Sequence, residues 1–175
     1  MTRRLRHLLA VLLCACIAMP ACSGGGSAPR PAQPAPEPAE LVEGDLRIRA
    51  SAVSTMQLPE SVARGYGIER GKNRILLLVG MRRGSDGDET SLTGAVEARV
   101  TDLQGRTQAI AMRELRSSVP STASGQAPST GTRQALVDYI GTIVVTPPET
   151  LRFHLQATPQ GEPPRTIDFV REFHP

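Results

Sequence analysis

From Asp45 onward, apolar residues recur at every second position, and this constrains the fold more than any other feature of the chain. Leu46, Ile48, Ala50 and Ala52 alternate with Arg47, Arg49 and Ser51. A period of two puts one set on a buried face and the other in water, which describes a strand and not a helix. The pattern returns through Val96, Ala98 and Val100, and through Val137, Tyr139, Gly141, Ile143 and Val145. It appears again at Leu151, Phe153 and Leu155, and in the last stretch at Ile167, Phe169 and Phe173. Ile75–Val79 is apolar on both faces and reads as a central strand.

Punctuation between these runs sets the rest. Pro59 and Glu60 suit the start of a helix and Gly65 or Gly67 its end, so one short helix is expected near 59–65. Gln104-Gly105 is a hairpin turn between strands 94–103 and 106–115. Residues 117–131 are rich in Ser, Thr, Gly, Ala and Pro and read as a mobile loop. Pro147-Pro148 ends the run from Gln134, and Gly161–Pro164 turns the chain once more. About seven strands result, and the expected fold is all-β: a two-sheet antiparallel sandwich, immunoglobulin-like, with an open barrel as the other solution.

The chain has 175 residues, and the first 44 do not fit this scheme. Arg3, Arg4 and Arg6 precede a 12-residue apolar run, Leu8 to Met19, too short to span a bilayer but right for a signal peptide over 1–21. Met19-Pro20-Ala21-Cys22 then resembles the lipobox of bacterial lipoproteins. That resemblance implies acylation, palmitate included, at Cys22. Leu13-Cys14-Ala15-Cys16 is a competing box with a shorter apolar core, and an ordinary cleavage after Ala21 is the remaining alternative. Residues 22–44 are rich in Gly, Pro and Ala and read as an extended tether. At about 3.1 Å per residue, 20 such residues reach up to roughly 60 Å. Ser23 after the cysteine resembles lipoproteins carried to the outer membrane. The β domain is expected over 45–175.

Composition narrows the function. There are 20 basic and 17 acidic residues, but the excess of three lies in the leader arginines, so the chain beyond them is neutral. A nucleic-acid partner is not expected. Aromatics are few (Tyr66, Tyr139, Phe153, Phe169, Phe173) and tryptophan is absent, which disfavours stacking platforms. All three cysteines lie at or before residue 22, so the domain has no disulfide, thiolate metal site or cysteine nucleophile.

The stretch Leu58-Pro59-x-x-Val62-Ala63-x-x-Tyr66-Gly67-Ile68-x-Arg70, followed by Lys72-Asn73-Arg74 and an apolar strand, resembles the domain-of-unknown-function family 4426. The resemblance continues through Gln104-Gly105 and Leu151-Arg152-Phe153, over about 44–174. It implies a small exported proteobacterial β domain and no assigned activity.

No constellation reads as an active site. His154 and His174 lack a cysteine or a nearby carboxylate cluster, so no metal and no cofactor are expected. Gly-x-Ser-x-Gly is absent, and the glycines of Gly65–Gly71 have the wrong spacing for a dinucleotide loop. Asp86-Gly87-Asp88-Glu89 lacks the ligand spacing of a calcium loop. The residues that stand out are Arg64, Arg70, Lys72 and Arg74, suited to an anionic envelope component or an acidic envelope protein. The alternative for them is a solvated set paired with Glu60 and Glu69. The expected function is a non-catalytic binding or interaction domain, held by a lipid anchor at the periplasmic face of the outer membrane. The competing expectation is a hydrolytic enzyme or small-ligand carrier with a pocket between the sheets.

Overall fold

The computed structural model of the chain describes residues 37–85, 88–119, 134–146 and 149–174. Among them run β1 (Ala39–Glu43), β2 (Leu46–Ser54), β3 (Arg74–Arg83), β4 (Thr90–Ser91), β5 (Gly94–Thr101) and β6 (Thr107–Ile110), then β7 (Arg113–Val119), β8 (Gln134–Val144), β9 (Glu149–Pro159) and β10 (Arg165–Phe173). A 3-10 turn (Thr55–Gln57) and one helix, α1 (Glu60–Gly65), lie between β2 and β3.

Every pairing is antiparallel. One sheet has the order β1-β2-β3-β8-β7, with β4 beside β3, and the other β10-β9-β5-β6. Taken in chain order, β2, β3, β8 and β7 stand where immunoglobulin strands A, B, E and D stand, and β5, β9 and β10 where C, F and G stand. The expected immunoglobulin-like sandwich is what forms.

The core follows the alternation. Leu46, Ile48, Ala50 and Ala52 of β2 are buried, as are Leu151, Phe153, Leu155 and Ala157 of β9, and the two sets belong to one cluster. Phe153 stacks on Phe169 with ring centroids 4.8 Å apart and meets Phe173 edge-on at 6.5 Å. Each such pair adds about 1 kcal/mol beyond area burial. Tyr139, buried on β8, crosses between the sheets: its hydroxyl accepts from the Gly94 amide at 2.8 Å and donates to the Gly94 carbonyl at 3.0 Å. Burial holds its ionisation above the usual tyrosine value, Glu114 adds to this, and the Gly94 amide opposes it.

β3 is central, as its two apolar faces predict. Ile75, Leu77, Val79 and Met81 enter the main core, while Leu76 on the other face is covered by the α1 segment. There Ala63 and Ile68 pack with Leu76 and Ile140, a second small core outside the sandwich.

Besides the short unexpected β4 beside β3, three stretches depart from the sequence expectation. The single strand expected over 106–115 is two, β6 and β7, one in each sheet. The chain changes sheet at Ala111-Met112, directly over Gly141, where an added Cβ would lie 2.6 Å from an Ile110 methyl and 2.9 Å from the Ala111 carbonyl. Only a residue without a side chain admits so close a crossing. Second, residues 39–43 of the expected tether are β1, paired with β2 from Ala39↔Ala50 to Glu43↔Leu46. Ala39 and Leu41 pack on the core, and Glu40 pairs with Arg49 at 2.9 Å. Third, β7 continues to Val119, so residues 117–119 of the expected loop are strand. Positions 120–133, the leader and Cys22 lie outside the described residues.

Candidate functional site

The candidate cations sit on the excursion from Ser54 to Arg74, built from short local devices. Ser54 starts the 3-10 turn by accepting the Met56 amide on its hydroxyl at 3.3 Å. Thr55, fully buried, clamps the far side: its hydroxyl accepts from the Gly71 amide at 2.9 Å and donates to the Gly71 carbonyl at 3.1 Å. Pro59 precedes α1, and Glu60 occupies its first turn. The helix stops at Gly67, whose φ is +62°. The Gly67 amide bonds the Arg64 carbonyl at 3.2 Å and the Ile68 amide the Ala63 carbonyl at 2.8 Å. These are the two bonds of a Schellman motif, and its usual apolar contact is Ile68 with Ala63.

This scaffold brings the four predicted residues onto one excursion, with unequal freedom. Arg64 is exposed and paired with Glu60 one turn earlier. Arg74 meets Glu69 at 2.8 Å. Arg70 donates to the Met56 carbonyl at 3.1 Å and so braces the turn. Lys72 is exposed and bonds to none of the described residues. A fifth cation, missed by the sequence reading, joins them: Arg113 of β7 donates to the Tyr66 carbonyl. The excursion thus gathers five cations around two carboxylates. Two further arginines, Arg82 and Arg83 of β3, lie apart from this set. Arg82 is held by Asp138 and the Val137 carbonyl, and Arg83 by Glu162 at 2.7 Å, at the opposite end of β3.

The same surface carries exposed apolar side chains. Met56 is 45% exposed, Val62 39% and Tyr66 38%. Val62 and Tyr66 are four apart, on one side of α1 and its end.

Space between the sheets is filled by Leu77, Leu151, Phe153 and Leu155, all at most 2% exposed. Recesses lie at the margins. One of about 300 Å³ opens between the 102–106 hairpin and the start of β9. Its polar groups are committed to the hairpin: Asp102 accepts from the Gln104 and Arg106 amides, both at 2.9 Å, and pairs with the Arg106 side chain at 2.5 Å. Burial alone would raise the Asp102 pKa; the bonds from Arg106 and Gln104 outweigh it and hold the carboxyl below its ordinary value. Another recess, of about 420 Å³, borders His154 at the β5–β6 margin. His154 Nδ1 lies 2.8 Å from Asp168, a carboxylate the sequence reading did not place there. No hydrogen bond joins it to a serine or threonine hydroxyl among the described residues. No three metal-ligating side chains converge among the described residues either. Of the acidic stretch 86–89, Glu89 pairs with Arg47 at 2.5 Å, and positions 86 and 87 lie outside the described residues.

These features define an immunoglobulin-like β-sandwich domain with a cationic excursion between its first two main strands. Comparison with known proteins agrees with the resemblance drawn from Leu58 to Arg74: residues 41–122 match the domain of unknown function DUF4426. The matched stretch runs from β1 through β7 and stops short of the 44–174 expected. A solved DUF4426 family protein from Pseudomonas aeruginosa is similar in fold, at a TM-score of 0.58 and 21% identity, over 79% of this chain and 95% of that one. No curated protein matches the chain.

Proposed function

We propose that this chain is a cell-envelope lipoprotein, anchored through acyl chains on Cys22 at the periplasmic face of the outer membrane, whose β domain binds an envelope component without catalysis. The observation that counts against the small-ligand carrier is the filled interior: the inter-sheet space where such a carrier needs its cavity holds Leu77, Leu151, Phe153 and Leu155. The basic start, short apolar run and Met19-Pro20-Ala21-Cys22 support the anchor. The binding surface is the excursion with Arg64, Arg70, Lys72 and Arg74.

Two experiments test this. Radiolabelled palmitate is expected to enter the wild type and not the Cys22→Ser variant; equal labelling or none removes the anchor. Charge reversal at Arg70 and Arg74 together is expected to lower recovery of the crosslinked envelope component in cells. Unchanged recovery moves the binding surface elsewhere.

A further inference from the structure

The chain approaches the sandwich at a particular end, and the exposed apolar residues gather there. Strand register defines that end. Ser54 of β2 faces Ile75 at the start of β3, and Arg74 faces Val144 at the end of β8. The Val145 amide bonds the Asn73 carbonyl at 2.8 Å. β9 begins beside it, with Arg152 facing Thr101, so the 102–106 hairpin projects from the same end. Because Ala39 pairs with Ala50, residues 38 and 37 run back towards Ser54. Arg171, opposite Leu151, holds the Glu37 carbonyl there.

Eight large apolar side chains are exposed among the described residues. Six sit at or beside this end: Met56, Val62 and Tyr66 on the excursion, Leu103 on the hairpin, Val144 at the end of β8 and Val170 of β10, opposite Arg152. Val42 marks the opposite end, next to the β1–β2 turn.

We propose that this end is a membrane-contact face, on which Met56, Val62 and Tyr66 enter the headgroup layer and the excursion cations meet anionic lipid phosphates. This rests on the anchor at Cys22 proposed above. Cys22 precedes Glu37 by 15 residues, a reach of at most about 54 Å even fully extended. A domain tied at one end keeps that end, on average, nearer the bilayer than the opposite one. Such a tether holds the face at millimolar effective concentration, so a weak surface suffices. The patch suits a lipid surface better than a protein. Single apolar side chains interspersed with cations, with a tyrosine among them, match the chemistry of the headgroup boundary. Five cations against Glu60 and Glu69 supply the attraction, and arginine suits phosphate.

The absence of tryptophan gives a clean probe. The chain from Cys22 onward has that residue as its one thiol, so it can be coupled chemically to a maleimide-bearing lipid without cellular acylation. A Tyr66→Trp variant coupled to phosphatidylglycerol-containing vesicles is expected to show blue-shifted emission and quenching by brominated acyl chains. Val42→Trp is expected to show neither. Adding Lys72→Glu should lower the docked fraction about fivefold or more. Three results overturn the proposal: a Tyr66→Trp spectrum unchanged by coupling, equal contact by Val42→Trp, or equal contact on phosphatidylcholine alone. If thermal unfolding shows that Tyr66→Trp disturbs the fold, Leu103→Trp at the hairpin tip reads the same face under the same criteria. Since coupling is chemical, failed palmitate labelling in cells removes the anchor while leaving this measurement intact, and failed docking leaves the anchor intact.

Discussion

Replacing Thr55 by valine tests whether one hydroxyl holds the excursion in place. The side chain is fully buried, and its oxygen serves both the amide and the carbonyl of Gly71, 16 residues away. Valine has nearly the same shape, so packing is preserved and only the two bonds are lost. Each is worth about 1 kcal/mol net, and a buried group left without a partner costs about 1–3 kcal/mol. Gly71 is only half-buried, so water recovers part of the loss. The expected destabilisation is about 2 kcal/mol, or a fall in Tm of roughly 6–10 °C for a domain of this size. Thr55→Ser keeps the hydroxyl and loses a methyl group, for about 1 kcal/mol. Thermal unfolding by circular dichroism measures both, and hydrogen exchange at the Gly71 amide localises the change. If Thr55→Val lies within about 0.5 kcal/mol of the wild type, or Thr55→Ser costs as much as valine, the clamp argument is refuted.

Other perturbations address the sandwich itself. Tyr139→Phe leaves Gly94 without its cross-sheet partner and should cost about 1–3 kcal/mol in urea unfolding, with no loss if the hydroxyl is dispensable. Gly141→Ala forces a methyl group against Ile110, Met112 and the Ala111 carbonyl and should destabilise by about 1–3 kcal/mol. A neutral effect would mean that the crossing is loose. Asp102 has a folded pKa below its unfolded one, so its charge-linked stability is complete above the ordinary carboxylate value and disappears as pH falls through the depressed one. The Tm gap between wild type and Asp102→Asn should therefore narrow as pH falls below the ordinary carboxylate value; a gap constant with pH contradicts this.

How much of this was legible in the sequence depended on range. β2 and β9 announce themselves because buried residues alternate without interruption, four in β2 and five in β9. β3 reveals its central place because Leu76 and Leu78 are apolar on the outward face. What covers Leu76, a six-residue helix with a glycine stop, was also readable from Pro59, Glu60 and Gly67. The split into β6 and β7 was not, because Gln108 occupies an inward position facing Val100, and the glycine that permits the crossing lies some 30 residues further on. β1 was hidden because Ala39 and Leu41 are its whole inward face, directly after a proline-rich run. At the candidate site the four cations and the helix stop were local signals. Arg113 reaches Tyr66 across 47 residues, and Asp168 reaches His154 across 14, and no local pattern carries either meeting.

The passage of the backbone over Gly141 limits how the molecule can move. Ala111 and Met112 are a covalent stitch between the two layers at mid-height, and Tyr139 to Gly94 is a second, non-covalent one. Layers fastened in this way cannot swing apart like the covers of a book. Any breathing of the domain is confined to its two rims, where hairpin tips and short turns loosen without disturbing the central seam.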